Sequence, residues 1–372
     1  MELSSQSQLQ GVEVENVFGY PLTIFEQTSD KSDYIQSFTA DYIRRHELFV
    51  DVNRYTTLVW NFMRLCTPSE VTFEGLDAVC MFTSLSFFID NQLANDNHTY
   101  LERSQTLIND FRLPETPSEQ ALFELLQHAE TLSQLNQISS TPFCQHLLNY
   151  IAAQQWKREG HAYLTVEDYQ QYRPYAIALL PHLALLKLTE NIDELQFSPL
   201  QKARLLFMEQ LATRIVYLDN DLYAWQSDQN EPIALNLIKV FQENLALSWE
   251  ESFQEVYALR NTTVERYLQN REEALGEENT FELRRYIELI ECAVTGNFEA
   301  MKQLKLHKSR YERMIACPLA GMPMATQQSV SGGQSEMLGE FRDLAIADQA
   351  TTAFIDSEWE YTLTPSRSPI FT

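Results

Sequence analysis

The spacing of apolar residues constrains the fold of this chain more than any other feature of its sequence. Between about residues 35 and 316, apolar side chains recur mostly at three- and four-residue steps, which places them on one face of an α-helix. The 372 residues include 10 glycines and 13 prolines, fewer than loop-rich or β-rich chains carry. The sequence therefore predicts an all-α protein.

Capping patterns mark where several helices begin. Thr67-Pro-Ser-Glu70 and Thr116-Pro-Ser-Glu119 each combine an N-cap residue, a first-turn proline and a reciprocal Glu, and Ser248-Trp-Glu-Glu251 repeats the pattern without proline. Together with the periodicity, they predict helices over about residues 34–48, 53–65, 72–93, 99–112, 117–135, 142–157, 166–187, 199–226, 232–246, 249–274 and 280–313.

The two ends of the chain lack this pattern. Residues 1–14 are polar and without periodicity, whereas residues 317–372 contain a Ser-Val-Ser-Gly-Gly run and a terminus rich in Ser, Thr and Pro. We therefore expect one helical domain over residues 15–316, a flexible N-terminal tail over residues 1–14, and a mobile or late-ordering C-terminal tail over residues 317–372.

The charge balance excludes some classes of partner. The chain carries 27 Lys and Arg against 52 Asp and Glu, a net charge of −25, so nucleic acid and anionic membranes should be repelled. No apolar run is long enough to form a membrane-spanning helix. The 5 cysteines form no Cys-x-x-Cys pair and follow no secretory signal, which indicates reduced thiols in a cytoplasmic protein. An anionic ligand would need local cations or metal ions.

Two polar interruptions of apolar helices are candidates for such a site. Asn220, Ala224 and Asp228 stand at i, i+4 and i+8, so an amide oxygen and a carboxylate share one helix face and could hold Mg²⁺. Asp90 ends a second apolar helix. Facing helices with these residues could clamp a metal-bound diphosphate, although acidic helix ends are usually solvated and spacing alone leaves that alternative open.

Four segments, in this order, resemble motifs of class I terpene synthases, the bacterial cyclases in particular. Asp90-Asn-Gln-Leu-Ala-Asn95 is similar to the aspartate-rich motif, and Tyr169-Gln-Gln-Tyr-Arg173 is similar to the segment with the diphosphate-sensing arginine. Asn220-Asp-Leu-Tyr-Ala-Trp-Gln-Ser-Asp228 resembles the second metal motif, and Thr295-Gly-Asn-Phe-Glu-Ala with Arg310-Tyr311 resembles the last helix and its terminal Arg-Tyr pair. The resemblance covers about residues 15–316.

The resemblance implies a single antiparallel helical bundle around an aromatic-lined cavity, and a Mg²⁺-dependent cyclase of isoprenoid biosynthesis acting on a linear isoprenyl diphosphate, farnesyl diphosphate by family base rate. It implies up to three Mg²⁺ ions with diphosphate and leaves a homodimer open. By position, the metal ligands would be Asp90, Asn95, Asn220 and Asp228, the diphosphate would be bound by Arg173, Arg310 and Tyr311, and the cavity would be lined by Phe62, Phe82, Phe87 and Phe88.

The sequence departs from the family pattern at several ligand positions. Asn91 replaces the second aspartate, Ala224 replaces a hydroxyl ligand, and Asp228 is one methylene shorter than the usual Glu. A catalytically impaired scaffold or a helical interaction protein would explain these changes, and a diterpene synthase that uses geranylgeranyl diphosphate is a further alternative. A prenyl-chain elongating enzyme would need a second full aspartate motif, which Asp219-Asn-Asp221 does not supply.

Overall fold

A computed structural model describes residues 11–14, 22–25, 29–68, 70–94, 98–110, 112–158, 164–228, 235–277 and 280–304. The helices are α1 (Ser29–Arg45), α2 (Val52–Cys66), α3 (Phe73–Ala94), α4 (His98–Asp110), α5 (Pro117–Asn136), α6 (Thr141–Arg158), α7 (Val166–Ala176), α8 (Leu179–Thr189), α9 (Pro199–Asp228), α10 (Leu237–Leu245), α11 (Trp249–Glu277) and α12 (Phe281–Leu304). A 3₁₀ turn (Glu194–Gln196) precedes α9. The helical fold class is confirmed.

A short antiparallel pair of strands precedes the helices in the chain, and its second strand contacts α12. β1 (Gly11–Val14) pairs with β2 (Leu22–Phe25), with Gly11 opposite Phe25 and Val14 opposite Leu22. No helix or strand is predicted from the sequence in either segment. Strand pairing depends on the partner across the turn, and four-residue strands are too short to show a clear alternation of apolar and polar residues.

Two of the three predicted helix starts are confirmed. The side chain of Thr116 accepts a hydrogen bond from the Glu119 amide, and Pro117 occupies the first turn of α5. Ser248 and Glu251 bond reciprocally at the start of α11: each side chain accepts from the other residue's backbone N–H, at 3.2 and 2.8 Å. These bonds satisfy N–H groups that a helix start leaves without an intrahelical partner.

The start predicted at Thr67 is wrong. Thr67 follows α2 as its C-cap, and α3 begins six residues later, at Phe73. There the Thr72 hydroxyl accepts from the Gly75 amide at 3.1 Å, so Thr72 is the capping side chain. Both threonines precede an apolar run, and only the path of the chain between α2 and α3 decides which of them caps the helix.

The single helix predicted over residues 166–187 is also corrected, because it is two helices. Helix α7 ends at Ala176, and α8 begins at Leu179. Between them, Ile177 is extended and Ala178 is irregular. Pro181 explains the break, since a proline has no N–H for the carbonyl of Ile177 four residues earlier and its ring clashes with that carbonyl. In the first turn of α8 the proline is tolerated, because N–H groups there have no intrahelical partner.

Close packing of α12 against α2 requires a glycine. A Cβ on Gly296 would lie 2.1 Å from the carbonyl oxygen of Leu65, so a larger residue would force the two helices apart. The approach also places Ala293, Asn297 and Met301 of α12 on the wall of an internal cavity. The segment that begins at Thr295 therefore helps to shape the cavity.

Candidate active site

One internal cavity of about 200 Å³ collects most of the predicted site residues that the structure describes. Its wall is formed by α2, α3, α6, α9, α12 and the break between α7 and α8. The predicted polar residues on this wall are Asp90, Arg173, Asn220 and Asp228, and the predicted aromatic residues are Phe62, Phe82 and Phe87. Helices far apart in sequence thus bring these side chains to one space.

The face of α9 carries its polar residues to the cavity as the spacing predicts. Asn220, Ala224 and Asp228 all line the wall, one helical turn apart. Asp228 is buried, and its Oδ2 accepts a hydrogen bond from Asn236 Nδ2 at 3.0 Å. A buried carboxylate needs such a donor, or a cation, to offset the loss of hydration.

Asp90 lines the same cavity from another helix, near the end of α3. The residue is partly buried. Asn95, Arg310 and Tyr311, the other predicted ligands of metal and diphosphate, lie outside the described residues.

Arg173 is held in place by a buried network that the sequence analysis did not predict. Its Nη2 lies 2.6 Å from Asp221 Oδ1 and 2.8 Å from Asn220 Oδ1, and its Nε donates to Asp221 at 3.1 Å. Tyr169 donates to Asp221 Oδ2 at 2.5 Å. Burial lowers the pKa of Arg173, but the facing Asp221 more than offsets this and holds the pKa above its usual range. The guanidinium is therefore a fixed cation at the cavity wall.

The start of α7 explains how Arg173 reaches this position. Thr165 and Asp168 form a capping box, with the Thr165 side chain accepting from the Asp168 amide. Tyr169 and Arg173 follow on one face at i and i+4, and both meet Asp221 of α9. The missed signal was Asp221 itself, an acidic residue in an apolar helix beside the residues predicted to bind metal.

Asn236 joins this network to the start of α10. Its Nδ2 donates to the Asp221 carbonyl at 2.9 Å as well as to Asp228, and its Oδ1 accepts from the Ile238 amide at 3.0 Å. The backbone N–H of Leu237 donates to Asp221 Oδ2 at 2.8 Å. The N-cap residue of α10, Asn236, therefore fixes the orientation of Asp228. No local sequence pattern predicts this contact.

Aromatic rings form part of the remaining wall. Phe62 and Phe87 meet edge to face, with ring centroids 5.1 Å apart, and Phe82 lies near His182. Phe88 lies elsewhere, contrary to the expectation that it lines the cavity. It faces away, with its ring edge to face against Phe49 and Tyr100, because successive residues of a helix point about 100° apart.

The oxygen atoms on the cavity wall could supply some, but not all, of the ligands of a hard divalent cation. Asp90, Asn220 and Asp228 offer carboxylate and amide oxygens to one cavity, and Mg²⁺ prefers oxygen ligands while keeping several waters or phosphate oxygens. Within the described ranges, no three His, Cys, Asp or Glu side chains are close enough together to hold a metal ion. The residues therefore suit Mg²⁺ that arrives with an anionic ligand.

The sequence that forms most of this cavity matches a known protein family. The profile of terpene synthase family 2, C-terminal metal binding, matches residues 82–266, which include Asp90, Arg173, Asn220 and Asp228. This region belongs to the terpene synthase family. No curated protein sequence matches the chain.

Solved structures of bacterial terpene synthases share the fold. Linalool/nerolidol synthase from Streptomyces clavuligerus, in complex with 2-fluorogeranyl diphosphate, is 18% identical with a TM-score of 0.59, covering 72% of this chain and 97% of that one. 2-Methylisoborneol synthase from Streptomyces coelicolor A3(2) is 16% identical with a TM-score of 0.63, covering 77% and 94%. An ancestral reconstruction, SVS_A2 (W156Y mutant), is 15% identical with a TM-score of 0.64, covering 87% and 97%. The protein has the class I terpene synthase fold.

The structure also bears on membrane-spanning helices and on the state of the cysteines. None of the described helices is long and apolar enough to cross a membrane. The cysteines within the described ranges are free: Cys66 and Cys80 are buried, and Cys144 and Cys292 are partly buried. Cys317 lies outside those ranges.

Proposed function

We propose that the protein is a Mg²⁺-dependent terpene cyclase. It would ionise a linear isoprenyl diphosphate, farnesyl diphosphate in the first instance, cyclise the carbocation and release diphosphate. The observation that carries the proposal is the lining of a single cavity by Asp90, Asn220, Asp228 and Arg173 together with phenylalanine rings. An apolar space with an anion-binding and cation-binding rim suits a substrate with a hydrocarbon tail and a diphosphate head.

Charge complementarity supports the ionisation step. When the bond between the allylic carbon and oxygen breaks, negative charge develops on the departing diphosphate, and Arg173 offers a fixed fork of N–H donors to it. Mg²⁺, when bound, supplies further positive charge to the same leaving group. Asp90, Asn220 and Asp228 would hold the metal. We assign Asn95, Arg310 and Tyr311, outside the described residues, to the same metal and diphosphate site.

The aromatic wall supports the second half of the reaction. The carbocation left after ionisation must be kept from bulk water, and ring faces attract cations through their quadrupoles. Phe62, Phe82 and Phe87 present rings to the cavity in which that cation would form. We extend the proposal to a cytoplasmic enzyme of isoprenoid biosynthesis with its catalytic domain over residues 15–316.

The test combines two readouts, diphosphate release and product analysis. Purified protein is incubated with Mg²⁺ and the C10, C15 and C20 diphosphates in turn. Diphosphate release with a cyclic product from the C15 substrate is expected. Release from the C20 substrate alone would assign a diterpene synthase, and no release from any of them would favour the impaired scaffold.

Asp90→Ala is the decisive variant. Because Asn91 is neutral, Asp90 is the main carboxylate on its side of the cavity, and its loss should reduce diphosphate release by about 10²-fold or more. Asp77→Ala on the same helix is the matched control, since Asp77 accepts a hydrogen bond from Tyr34 at 2.6 Å and lies outside the cavity wall. Equal turnover of the two variants would remove Asp90 from the metal site.

A further inference from the structure

The cavity contains a buried polar atom that the proposed ionisation does not use. Gln154 of α6 is 2% exposed and lines the cavity. Its Nε2 donates to the carbonyl of Ala176 at 2.9 Å, which the break after α7 leaves without a helical N–H partner. Since a carbonyl can only accept, this bond fixes the amide so that Oε1 points the other way. Among the described residues, Oε1 has no hydrogen-bond partner.

His182 of α8 brings a second acceptor to the same cavity. The ring is 9% exposed, and its Nε2 lies 3.3 Å from the carbonyl oxygen of Cys66. Nε2 must carry the proton of that bond, so Nδ1 of the neutral ring has a free lone pair. Burial lowers the pKa of His182 to about 4, which keeps the ring neutral at physiological pH and leaves Nδ1 unprotonated, so that it can take a proton from a strong acid such as an oxonium.

The cost of burying an unsatisfied amide oxygen calls for an explanation. An unpartnered buried acceptor costs about 1–3 kcal/mol, and natural structures satisfy most such atoms with a protein group or an ordered water. A water needs two or more polar partners and only about 10–15 Å³ of space, far less than the cavity of about 200 Å³ offers. The Ser86 hydroxyl, another polar group of the wall, already has a partner, because it donates to the Thr83 carbonyl at 2.9 Å.

We propose that Gln154 Oε1 and His182 Nδ1 form a water-binding subsite, so that the enzyme ends its reaction by hydration and makes a terpene alcohol. A water that donates a hydrogen to either acceptor turns its oxygen lone pairs toward the cavity that both residues line, where the carbocation forms. The inference rests on the proposed terpene synthase function.

The step balances in atoms and charge. The water oxygen forms a C–O bond with the cationic carbon and becomes an oxonium, and the proton of that oxonium passes to His182 Nδ1. The imidazolium then returns its proton to solvent, and the substrate's original leaving group departs as diphosphate. His182 acts as the base, whereas Gln154 positions the water.

Turnover of the unaltered protein in H₂¹⁸O is the primary test. The C15 diphosphate is supplied with Mg²⁺, and diphosphate release is measured alongside the mass of each product. A principal alcohol that carries ¹⁸O is expected. Diphosphate release with only hydrocarbon products, or an alcohol without the label, would overturn the inference while the proposed function stands. No diphosphate release would instead overturn the proposed function, and the inference with it.

Variants then test which residues hold the water. Gln154→Leu and His182→Phe each remove one acceptor, and each should lower the ratio of alcohol to hydrocarbon by about tenfold, the value of one hydrogen bond, with diphosphate release changed much less. Ser86→Ala is the matched control, because it deletes a polar group of the same wall that already has a partner. It should keep the wild-type ratio.

An unchanged ratio in both acceptor variants would refute the assignment of these residues. Circular dichroism and melting curves establish that each variant is folded, since Gln154→Leu also leaves the Ala176 carbonyl without a donor. Should a variant fail to fold, the isotope experiment on the unaltered chain still decides whether water is the terminal nucleophile.

Discussion

Two buried polar clusters of matching composition lie in this bundle, and only one of them faces the cavity. The first, the cavity cluster, consists of Arg173, Asp221 and Tyr169. The second, the core cluster, consists of Lys187, Glu209 and Tyr286. In each, a cation meets a carboxylate that also accepts from a tyrosine hydroxyl. A histidine with a lowered pKa accompanies each cluster: His182 lines the cavity that Arg173 also lines, and His146 interacts with the charges of Glu209 and Lys187.

The core cluster links three helices and the 3₁₀ turn. Lys187 of α8 donates to Glu209 of α9 at 3.2 Å and also to Glu194, while Tyr286 of α12 donates to Glu209. The ammonium lies 5.0 Å from the centre of the Tyr286 ring, a cation–π contact. Burial lowers the pKa of Lys187, but the two carboxylates outweigh that effect and hold it well above its usual range.

The two clusters differ in whether a ligand in the cavity can reach the cation. Arg173 lines the cavity and shares its guanidinium with Asn220, so an incoming anion can compete for its donors. Lys187 is not part of the cavity wall, and within the described residues its ammonium pairs with the carboxylates of Glu194 and Glu209. A buried ion pair with a perturbed pKa is therefore no sign of function by itself, and its position relative to the cavity decides.

The largest expected effect belongs to the core cluster and concerns stability. Lys187→Met should lower the free energy of unfolding by about 3–5 kcal/mol, because it leaves the buried Glu209 carboxylate without its cation. Chemical denaturation measures this change. Turnover per folded molecule should stay within about twofold, since Lys187 lies outside the cavity wall.

The double variant Lys187→Met/Glu209→Leu separates the ion pair from simple packing. Replacing a buried pair with apolar residues of similar volume is often neutral or stabilising, so most of the loss should be recovered. If the double variant is less stable than Lys187→Met, the carboxylate matters for its bond with Tyr286 rather than for its charge pair.

The second prediction moves the test to the cavity cluster. Arg173→Lys keeps the charge but loses the planar fork that matches Asp221, Asn220 and phosphate oxygens, so diphosphate release should fall by about 10²–10³-fold. The melting temperature should fall less than in Lys187→Met, since a cation remains opposite Asp221. An unchanged rate would mean that the diphosphate is bound elsewhere.

The third prediction uses the two histidines and the pH. His182 has a pKa lowered from 6.5 to about 4, so the unfolded chain binds a proton that the folded chain refuses between these values. Stability should therefore fall as the pH drops from about 6.5 to about 4, by roughly 3 kcal/mol from this residue. His182→Phe should flatten that acid limb of the stability curve.

His146 provides a second histidine whose effect on acid stability can be compared with that of His182. Burial also lowers its pKa, with the charges of Glu209 and Lys187 acting in opposite directions. His146→Phe should thus flatten the acid limb as well, and by less than His182→Phe, whose ring is the more deeply buried. An equal effect of both variants would show that the cavity histidine is no more strongly desolvated than the one near the core cluster.

Local patterns predicted the helices and the polar face of α9, but not the residues that complete the cavity. The i, i+4, i+8 spacing of Asn220, Ala224 and Asp228 depends only on the geometry of one helix. Asp221, Gln154 and His182 act through partners on other helices, so their roles depend on how the helices pack. Pro181 was visible in the sequence, and giving it more weight would have predicted the break between α7 and α8.

The smallest expected effect concerns the shortened ligand on α9. Ala224→Ser with Asp228→Glu restores the family pattern, and if Asn220 and Asp228 share a cation, activity should be kept or raised. The Mg²⁺ concentration for half-maximal rate should fall by up to about tenfold, or ~1.4 kcal/mol. The two changes are made together and singly, because neighbouring ligands are not additive.

The hydrogen bond from Asn236 to Asp228 determines what the double variant can show about metal binding. Its Nδ2 holds the Asp228 carboxylate at 3.0 Å, so a longer Glu must either keep that bond with its added methylene or leave Asn236 for the metal. A higher Mg²⁺ requirement in the double variant would show that the shorter side chain and Asn236 are matched to each other. Melting curves with Mg²⁺ and diphosphate give a second readout, because a ligand at one hundred times its dissociation constant adds about 2.7 kcal/mol. A flat curve for both proteins would mean that neither motif binds the metal with diphosphate, and the cavity cluster would then be as purely structural as the core cluster.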